Sequence, residues 1–327
     1  MNREPRRRPS NQAIRPVAWY SLPYWAYRTA VFDWRNYRAH RRPLTWRRIS
    51  CSWRPKLARP IFLIGAPRTG TTFLGRCLGE LPEISYHFEP IATKLAARCV
   101  YEYIWDTAKC QRFYRRVYTW LLRIHLDGDL VFAEKTPRNA FIVSFLNHCF
   151  PGARFIHILR DGRDAALSLS ERPWLQAAEE ASLRRETGGY RYGPFARFWV
   201  EADRRDEFET TSDIRRCIWS WRRHTQAALA SGAELPPEQY HELRYESMVT
   251  DPQATADALL DFLDIRQEQS RASFHQALAG ANCDSVGRWR NHLSEGALEE
   301  ITVEAGSLLR SLGYSVTTGT EGHGRAV

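Results

Sequence analysis

Short apolar runs and amphipathic stretches alternate along the chain from Pro60 onward. The runs are rich in Ile, Leu, Phe and Val, as in strands that are buried on both faces of a sheet, and the stretches between them repeat apolar residues at helical spacing. This alternation predicts an α/β fold, a three-layer sandwich in which a mostly parallel central sheet carries helices on both faces. The predicted strands lie near residues 60–65, 83–87, 130–134, 153–159 and 240–244.

The same periodicity predicts helices near residues 71–80, 90–104, 137–149, 162–171, 212–231, 251–263 and 295–312. Residues 172–211 interrupt the alternation with mixed charge and a Gly188-Gly189 pair, and we interpret them as a helical insertion or lid over a site. The main domain is expected to span residues 60–315, with a flexible tail over residues 316–327.

Residues 1–59 form a basic, aromatic-rich N-terminal extension. They hold five of the twelve tryptophans and fourteen arginines, against two acids, Glu4 and Asp33. From Pro16 to His40, aromatic residues and arginines recur at roughly helical spacing. The segment either packs its aromatics on the main domain or lies on an anionic membrane surface through residues 16–59; nucleic acid is the least favoured partner. The sequence does not separate the first two interpretations.

Composition narrows the class of protein further. With 327 residues, 43% of them hydrophobic, the chain can bury a full core, and its formal net charge of +10 favours an anionic ligand or surface. The seven cysteines occur singly, without the spacing of disulfide frameworks or zinc sites. No apolar run reaches the ~18 residues of a membrane span, and residues 1–20 lack a signal-peptide core. We therefore expect a cytoplasmic protein, associated with the cytoplasmic face of a membrane at most peripherally.

A candidate phosphate loop follows the first predicted strand in the segment IFLIGAPRTGTTFLGRCL. Gly65, Gly70 and Thr72 have the spacing of a Walker-type loop, but Thr71 stands where that loop has its lysine. A glycine-rich turn before a helix directs backbone N–H groups at an anion, and Arg68 adds a fixed positive charge. Without the lysine, the loop suits a smaller 5′ group better than a magnesium-bound triphosphate.

The loop GAPRTGTTFLGRCL resembles the 5′-phosphosulfate loop of the sulfotransferases that depend on PAPS (3′-phosphoadenosine-5′-phosphosulfate). The resemblance implies a P-loop-like fold, PAPS as the sulfuryl donor and a reaction that requires no metal. It also implies that the 5′ phosphate and the sulfuryl group are bound by Arg68, Thr69, Gly70, Thr71 and Thr72.

A second segment, ARFIHILRDGRDAALSLSER, resembles the 3′-phosphate motif of the same family. Arg160 ends a predicted strand, and Ser168 lies about two turns into the following helix, so both can reach one phosphate if the helix folds back along the strand end. The resemblance implies that Arg160 and Ser168 bind the 3′ phosphate.

A third segment, SVGRWRNHLSEGALEEI, resembles the C-terminal loop that closes over the 3′ phosphate in this family. The implied contacts come from Ser285, Gly287, Arg288 and Trp289. The segment ELRYESMV resembles the part of the family fold that approaches the adenine, with Tyr245 as the candidate and a core position as its alternative. The three cofactor motifs occur in the family's order.

Two candidate bases follow the second predicted strand in ISYHFEPIATK. Strand alternation places His87 and Glu89 on one side of the chain at the strand's carboxyl end, where sites in open α/β sheets form. Glycan, tyrosylprotein and several bacterial branches of the family use a glutamate a short way past this strand. The resemblance therefore favours Glu89 as the base, with His87 as the runner-up.

The segment FAEKTPRNAF resembles the E-K-T-P segment of carbohydrate and related bacterial sulfotransferases. The resemblance implies that Lys135 points at the bridging oxygen of the phosphosulfate, that Arg68 also stabilises charge, and that Glu134 is structural. The expected reaction is an in-line displacement in which Glu89 accepts the proton of an acceptor hydroxyl and adenosine 3′,5′-bisphosphate (PAP) leaves.

The acceptor itself is expected to be a carbohydrate, a glycolipid or a natural product with a hydroxyl group, bound by residues 90–129 and 172–211. Two other functions remain open at the level of sequence. One is a P-loop kinase acting on a small molecule, and the other is a non-catalytic protein that binds membranes or nucleic acid through a vestigial nucleotide fold.

Overall fold

A computed structural model describes residues 22–36, 43–187 and 189–316. The expectations for the chain before Leu22 and for the tail after Val316 lie outside the described residues. Within them, the structure confirms the predicted fold class.

The central sheet has five strands, all parallel, in the order β2-β3-β1-β4-β5. Each strand starts and ends within one residue of its predicted position, since a strand buried on both faces is a nearly continuous apolar run. The strands are β1 Ile61–Ile64, β2 Ile84–Phe88, β3 Val131–Lys135, β4 Arg154–Leu159 and β5 Tyr240–Arg244.

The described residues contain fourteen α-helices, and short 3₁₀ turns join some of them. The helices are α1 Leu22–Asn36, α2 Trp46–Trp53, α3 Thr71–Gly79, α4 Ile91–Tyr101, α5 Thr107–His125, α6 Val143–Cys149, α7 Gly162–Ser170, α8 Arg205–Thr210, α9 Asp213–Gly232, α10 Tyr245–Thr250, α11 Pro252–Phe262, α12 Glu268–Leu278, α13 Trp289–His292 and α14 Glu295–Ser311.

The sheet separates two hydrophobic cores, which gives the predicted three layers. Successive side chains of β1 alternate between them, with Phe62 and Ile64 in one core and Ile61 and Leu63 in the other. Helices α1, α4, α5, α6, α7, α9 and α14 cover the first face, and α3, α10, α11 and α12 cover the second.

The predicted helices do not include α2, α5, α10, α12 and α13, of which α5 is the longest. In α5, seven buried residues from Cys110 to Leu122 recur at spacings of three and four and form one apolar face. From the sequence, this stretch is expected to line the acceptor pocket. Its periodicity is instead that of a helix packed in the core.

The segment 172–211 is less helical than predicted. Among its described residues, regular structure is limited to two 3₁₀ turns, an isolated β-bridge between Arg185 and Arg191, and α8. The rest is held by buried guanidinium groups that donate to main-chain carbonyls: Arg197 donates to Trp174 at 2.9 Å and to Arg191 at 2.8 Å, and Arg216 donates to Leu175 at 2.8 Å. Irregular backbone with buried carbonyls needs such donors, which periodicity does not reveal.

The N-terminal extension packs on the domain through one face of α1. Ala26, Thr29, Ala30 and Asp33 are buried and follow the i, i+3, i+4, i+7 spacing of an amphipathic helix, against β2, α4 and α5. The opposite face exposes aromatic and basic side chains. Among the described helices, none combines the length and apolar character that a bilayer crossing requires.

Candidate active site

The carboxyl ends of β1 to β4 meet at one edge of the sheet, where a cavity of about 480 Å³ opens. The loop after β1 contributes Arg68, Thr71 and Thr72 to its wall, the turn after β2 contributes Glu89, and the end of β3 contributes Lys135. Segment 172–211 forms much of the opposite wall. Candidate residues from separate parts of the sequence therefore line a single cavity, as expected at the strand ends of a parallel sheet.

The phosphate loop is a tight turn that ends in the N-terminus of α3. Gly65, Arg68 and Gly70 have φ angles of 142°, 72° and 96°, and a Cβ atom on Gly70 would come within 2.4 Å of the ring of Tyr245. Only glycine fits there without a clash. The turn directs the first N–H groups of α3 at the cavity edge, the geometry of an anion cradle.

The two sides of the loop have different roles. Thr71 and Thr72 line the cavity, whereas the hydroxyl of Thr69 is fully buried and donates to the carbonyl of Ala66 at 2.8 Å. The side chain of Thr69 therefore stabilises the turn from inside and does not face the cavity.

Arginines crowd the phosphate loop. Arg68 donates from Nε to Ser168 Oγ at 3.0 Å, and Arg160 donates to the carbonyl of Arg68 at 2.9 Å. Burial lowers the pKa of Arg68, and the positive charges of Arg172 and Arg160 lower it further. Within the described parts of the chain, none of these three arginines forms an ion pair with a carboxylate. Such a surplus of positive charge is suited to an anionic ligand.

The C-terminal loop closes against this arginine cluster. The guanidinium of Arg160 lies 4.5 Å from the ring centre of Tyr245 and also donates to the carbonyl of Ser285. The hydroxyls of Tyr245 and Ser285 share a hydrogen bond of 2.6 Å. The remaining nitrogen of Arg160, Nε, is buried and has no hydrogen-bond partner among the described residues.

An acid that the sequence analysis missed, Asp164 in α7, anchors the same loop. Its carboxylate accepts the backbone N–H groups of Gly287 at 2.6 Å and Trp289 at 3.0 Å. Gly287 has a φ of 75°, and the partly exposed Arg288 pairs with Glu171 at 2.8 Å. The carboxylate of Asp164 is thus used to hold the loop beside Arg160.

Glu89 and His87 point to different places, contrary to the expected alternation. The main chain turns at Glu89, which has a φ of 42°, so Glu89 and Phe88 line the cavity together. His87 is fully buried outside the cavity lining, with Nδ1 2.8 Å from Asp33 and Nε2 3.1 Å from Ser85. The prediction that both candidate bases share one side is wrong because strand geometry ends at Phe88.

Two lysines share the carboxylate of Glu89. Lys135 bonds to Oε1, and Lys94 bonds to Oε2 at 2.5 Å. Burial alone would raise the pKa of Glu89, but the charges of Lys135 and Lys94 outweigh it and hold that pKa well below its usual range. Burial in turn lowers the pKa of Lys135, and its pairing with Glu89 opposes this shift. Glu89 is therefore ionised throughout the physiological pH range.

A second carboxylate extends this cluster towards segment 172–211. Glu186 bonds to Arg138 and lies 3.8 Å from Lys94. The sequence analysis missed Lys94, Arg138 and Glu186. Lys94 is one of only four lysines in the chain, and this rarity was the one feature that could have drawn attention to it.

Glu134 supports the turn after β3 from inside the core. Burial raises its pKa to about 7, against hydrogen bonds from Tyr118, Asn139 and Thr136 that favour the charged form. It lies outside the cavity lining. Its hydrogen bonds fix the turn that carries Lys135.

Aromatic side chains cover part of the cavity wall. Trp174, Tyr192 and Trp199 line it, whereas Tyr114 and Tyr118 of α5 are fully buried in the core. His224 also lines the cavity, and burial lowers its pKa to about 3, so its imidazole is neutral.

A group of possible metal ligands lies outside the cavity lining. One ligand atom from each of Asp33, His87 and His125 lies within 4.8 Å of the others. Both ring nitrogens of His87 already lie within hydrogen-bonding distance of Asp33 and Ser85. We treat the group as a buried hydrogen-bond network.

Fold and cavity together define an α/β protein whose site is suited to an anionic ligand. The model of the sulfotransferase family matches residues 92–269, more than half of the chain. The chain therefore belongs to the sulfotransferase family, whose members transfer sulfuryl groups and use PAPS as donor. The matched range includes Lys135, Arg160 and Ser168 but begins after Glu89.

Individual relatives are distant. A protein of Aquifex aeolicus (strain VF5), described as uncharacterized, is 24% identical over 263 residues, which is 72% of this chain and 31% of that protein. The chain thus spans about a third of the length of that relative.

Solved structures with a similar fold include three sulfotransferases. The sulfotransferase domain from the curacin biosynthetic pathway has a TM-score of 0.49 and 16% identity, over 80% of this chain and 100% of that domain. Sulfotransferase STF9 from Mycobacterium avium has a TM-score of 0.49 and 15% identity, over 91% and 85% of the two chains. Mouse sulfotransferase SULT7A1 complexed with PAP has a TM-score of 0.45 and 16% identity, over 80% and 91%.

Proposed function

We propose that the protein transfers the sulfuryl group of PAPS to a hydroxyl of a carbohydrate, glycolipid or natural-product acceptor, with Glu89 as the base. The observation that carries this proposal is the position of the ionised Glu89, which lines the same cavity as the phosphate loop and is paired with Lys135. A base, a cation for the leaving group and an anion cradle are what in-line transfer to a hydroxyl requires.

Two groups of residues would hold the donor. Arg68, Thr71 and Thr72 would bind the 5′ phosphosulfate at the start of α3, and Arg160 with Ser168 would bind the 3′ phosphate. The buried, unpaired Nε of Arg160 supports this assignment, since an anion would satisfy it. PAPS would supply the sulfuryl group to the acceptor oxygen, and PAP would be the leaving group.

The C-terminal loop would complete the 3′ side. Tyr245 stacks on the guanidinium of Arg160 and would lie near the adenine, and Ser285, Gly287 and Trp289 would close over the 3′ phosphate. Arg288 would contact the 3′ phosphate from the outer side of the loop, where its guanidinium pairs with Glu171.

Lys135 and Lys94 would set the basicity of Glu89. In the ligand-free protein they keep the carboxylate ionised but weakly basic. A donor that attracts the ammonium of Lys135 would weaken its pair with Glu89, and the proton affinity of Glu89 would rise because a neighbouring cation is withdrawn. Glu89 would then accept the acceptor proton while Lys135 and Arg68 stabilise charge on the leaving group.

The rest of the cavity favours a neutral acceptor with several hydroxyls. Lys94 and Arg138 are held there in ion pairs with Glu89 and Glu186, so these two cations are less available to an anionic acceptor. Trp174, Tyr192 and Trp199 provide flat apolar surfaces for a sugar or another ring.

We also propose a peripheral contact with an anionic membrane on the cytoplasmic face. Tyr24 and Tyr27 of α1 are 52% and 59% exposed, and Trp46 and Trp53 of α2 are 84% and 75% exposed. Exposed arginines of the extension would face the lipid headgroups. Co-sedimentation with phosphatidylglycerol vesicles, weakened in a Trp46→Ala, Trp53→Ala double variant, would support the contact. Equal recovery with purely zwitterionic vesicles would contradict it.

Transfer of labelled sulfate from PAPS to lipid, glycan and small-molecule extracts of the host tests the proposed function. We expect a labelled product with the wild type and a rate at least about a hundredfold lower with Glu89→Gln. The kinase alternative predicts instead magnesium-dependent turnover of ATP, and absence of both transfer and PAP binding would reject a sulfotransferase activity.

A further inference from the structure

The main chain on both sides of Glu89 is hydrogen-bonded to the N-terminal helix α1. Asp33 accepts a hydrogen bond on Oδ1 from the backbone N–H of Phe88 at 3.0 Å. Thr29, one helical turn earlier, accepts on Oγ1 from the N–H of Ile91 at 3.2 Å. Both acceptors are buried, with 0% and 2% of their surface exposed, so water does not compete for these bonds.

The segment needs such support because its conformation is unfavourable. Glu89 is not a glycine, yet it has a φ of 42°, in the left-handed region. A residue holds such a conformation when its surroundings fix the neighbouring main chain. The N–H of Glu89 donates to the carbonyl of Lys135 at 2.9 Å, which fixes the segment from the sheet side. Ile91 begins α4, whose first N–H groups have no partner within their own helix, and Thr29 supplies one.

Asp33 is itself fixed by a buried polar network. Its Oδ2 atom lies 2.8 Å from Nδ1 of His87, whose Nε2 lies 3.1 Å from Ser85 Oγ, and Ser85 donates to Asp127 at 2.8 Å. All four side chains are at most 1% exposed. His87, the runner-up base of the sequence analysis, thus orients Asp33 and through it the segment around Glu89.

We propose that Thr29 and Asp33 are positioning residues, which hold the Phe88–Ile91 main chain so that the Glu89 carboxylate faces the cavity. The N-terminal extension is then part of the catalytic machinery and not a separate appendage. This inference rests on the proposed role of Glu89 as the base. It predicts that loss of these hydrogen bonds lowers turnover and leaves the affinity for the donor unchanged.

Matched substitutions of two threonines test the proposal. Thr29→Val removes the acceptor for Ile91 and keeps the side-chain shape, whereas Thr29→Ser keeps the acceptor. Thr45→Val makes the same chemical change in the same extension, where Thr45 caps α2 by accepting the N–H of Arg48 at 3.3 Å. Labelled-sulfate transfer at saturating PAPS gives kcat, calorimetric titration gives the Kd of PAP, and thermal melting gives Tm.

We expect Thr29→Val to lower kcat about tenfold with the Kd of PAP changed less than twofold, since a small displacement of a reacting group costs turnover. Thr29→Ser should restore kcat, and Thr45→Val should lower Tm and leave kcat unchanged. Asp33→Ala should lower kcat about a hundredfold, and Asp33→Asn, which retains an Oδ1 acceptor, should lower it less.

Several outcomes would overturn the inference. Thr29→Val and Asp33→Ala with wild-type kcat would remove the positioning role while the proposed function stands. Parallel loss of kcat and PAP affinity would assign both residues to general stability. A wild type that neither binds PAP nor transfers sulfate would overturn the proposed function together with this inference.

Discussion

The positively charged side chains near the phosphate loop and those around Glu89 have different hydrogen-bond and ion-pair partners. Around the phosphate loop, Arg68, Arg160 and Arg172 form no ion pair with a carboxylate in the described part of the protein, and Arg68 and Arg160 donate to a hydroxyl or to carbonyls. Around Glu89, each of the three cations Lys135, Lys94 and Arg138 pairs with at least one of two carboxylates, Glu89 and Glu186. Among the described residues, the cations of the first cluster therefore lack carboxylate partners, whereas those of the second cluster have them.

Under the proposed function, this difference separates the site that binds the donor from the site of the reaction. The guanidinium groups of the first cluster repel one another, and burial together with Arg172 and Arg160 lowers the pKa of Arg68, so this cluster gains most from a multiply charged ligand. In the second cluster the cations are held in ion pairs, which orient the candidate base and leave these cations less available to an anionic acceptor. A negatively charged donor and a neutral acceptor satisfy both clusters.

Substitution at Glu89 should have the largest effect. Glu89→Gln should lower kcat by about 10² to 10⁴, the range for loss of a general base, with the Kd of PAP nearly unchanged. Labelled-sulfate transfer and calorimetry measure the two quantities. Full activity in this variant would assign the base elsewhere in the cavity, with the neutral His224 as the next candidate.

The opposite pattern is expected at the phosphate loop. Arg68→Ala should weaken PAP binding about 10- to 100-fold, since a charged hydrogen bond to the ligand is lost. Arg172→Ala serves as the matched control, because Arg172 is exposed and its charge is screened by water; we expect less than about a fivefold change. Equal effects of the two substitutions on the Kd would show that only net charge matters here.

Glu186→Gln should have a smaller effect, confined to the acceptor. It breaks the pair with Arg138 and leaves Arg138 unbalanced, so we expect the KM for a neutral acceptor to rise about three- to tenfold with the Kd of PAP unchanged. It is also the matched control for Glu89→Gln, because it makes the same chemical change in a second glutamate that lines the same cavity. A collapse of kcat in Glu186→Gln would place the base at Glu186.

The smallest expected effect is a displacement of the pH profile. Because the lysines hold the pKa of Glu89 well below its usual range, kcat/KM for the acceptor should show no acidic limb between about pH 5 and 8. Lys94→Met removes one cation, so the pKa of Glu89 should rise and activity should fall at a higher pH than in the wild type. If Lys94→Met and the wild type lose activity at the same pH, Lys94 does not set the ionisation of Glu89.

The comparison also shows which features the sequence reveals. The donor side could be predicted because its residues follow buried strands directly: Arg68 after β1, Lys135 at the end of β3 and Arg160 after β4. Continuous apolar runs locate such strands, and a parallel sheet brings their carboxyl ends to one edge.

The acceptor side depends on contacts that no local pattern encodes. Glu186 reaches the cavity from irregular backbone, and Glu89 turns away from His87 through a positive φ. Asp33 contacts Phe88 across more than fifty residues of sequence. Such contacts follow from tertiary packing, so the sequence alone does not reveal that the extension is hydrogen-bonded to the main chain on either side of the candidate base.

Titration of the wild type and of Arg160→Ala with PAP and with adenosine 5′-monophosphate is the most direct test of the two-cluster account. The two nucleotides differ in the 3′ phosphate, which Arg160 is proposed to bind. We expect the wild type to bind PAP at least about tenfold more tightly, a difference of about 1.4 kcal/mol, and Arg160→Ala to bind both equally. Equal affinities in the wild type, or a preference for PAP that survives in Arg160→Ala, would contradict the account.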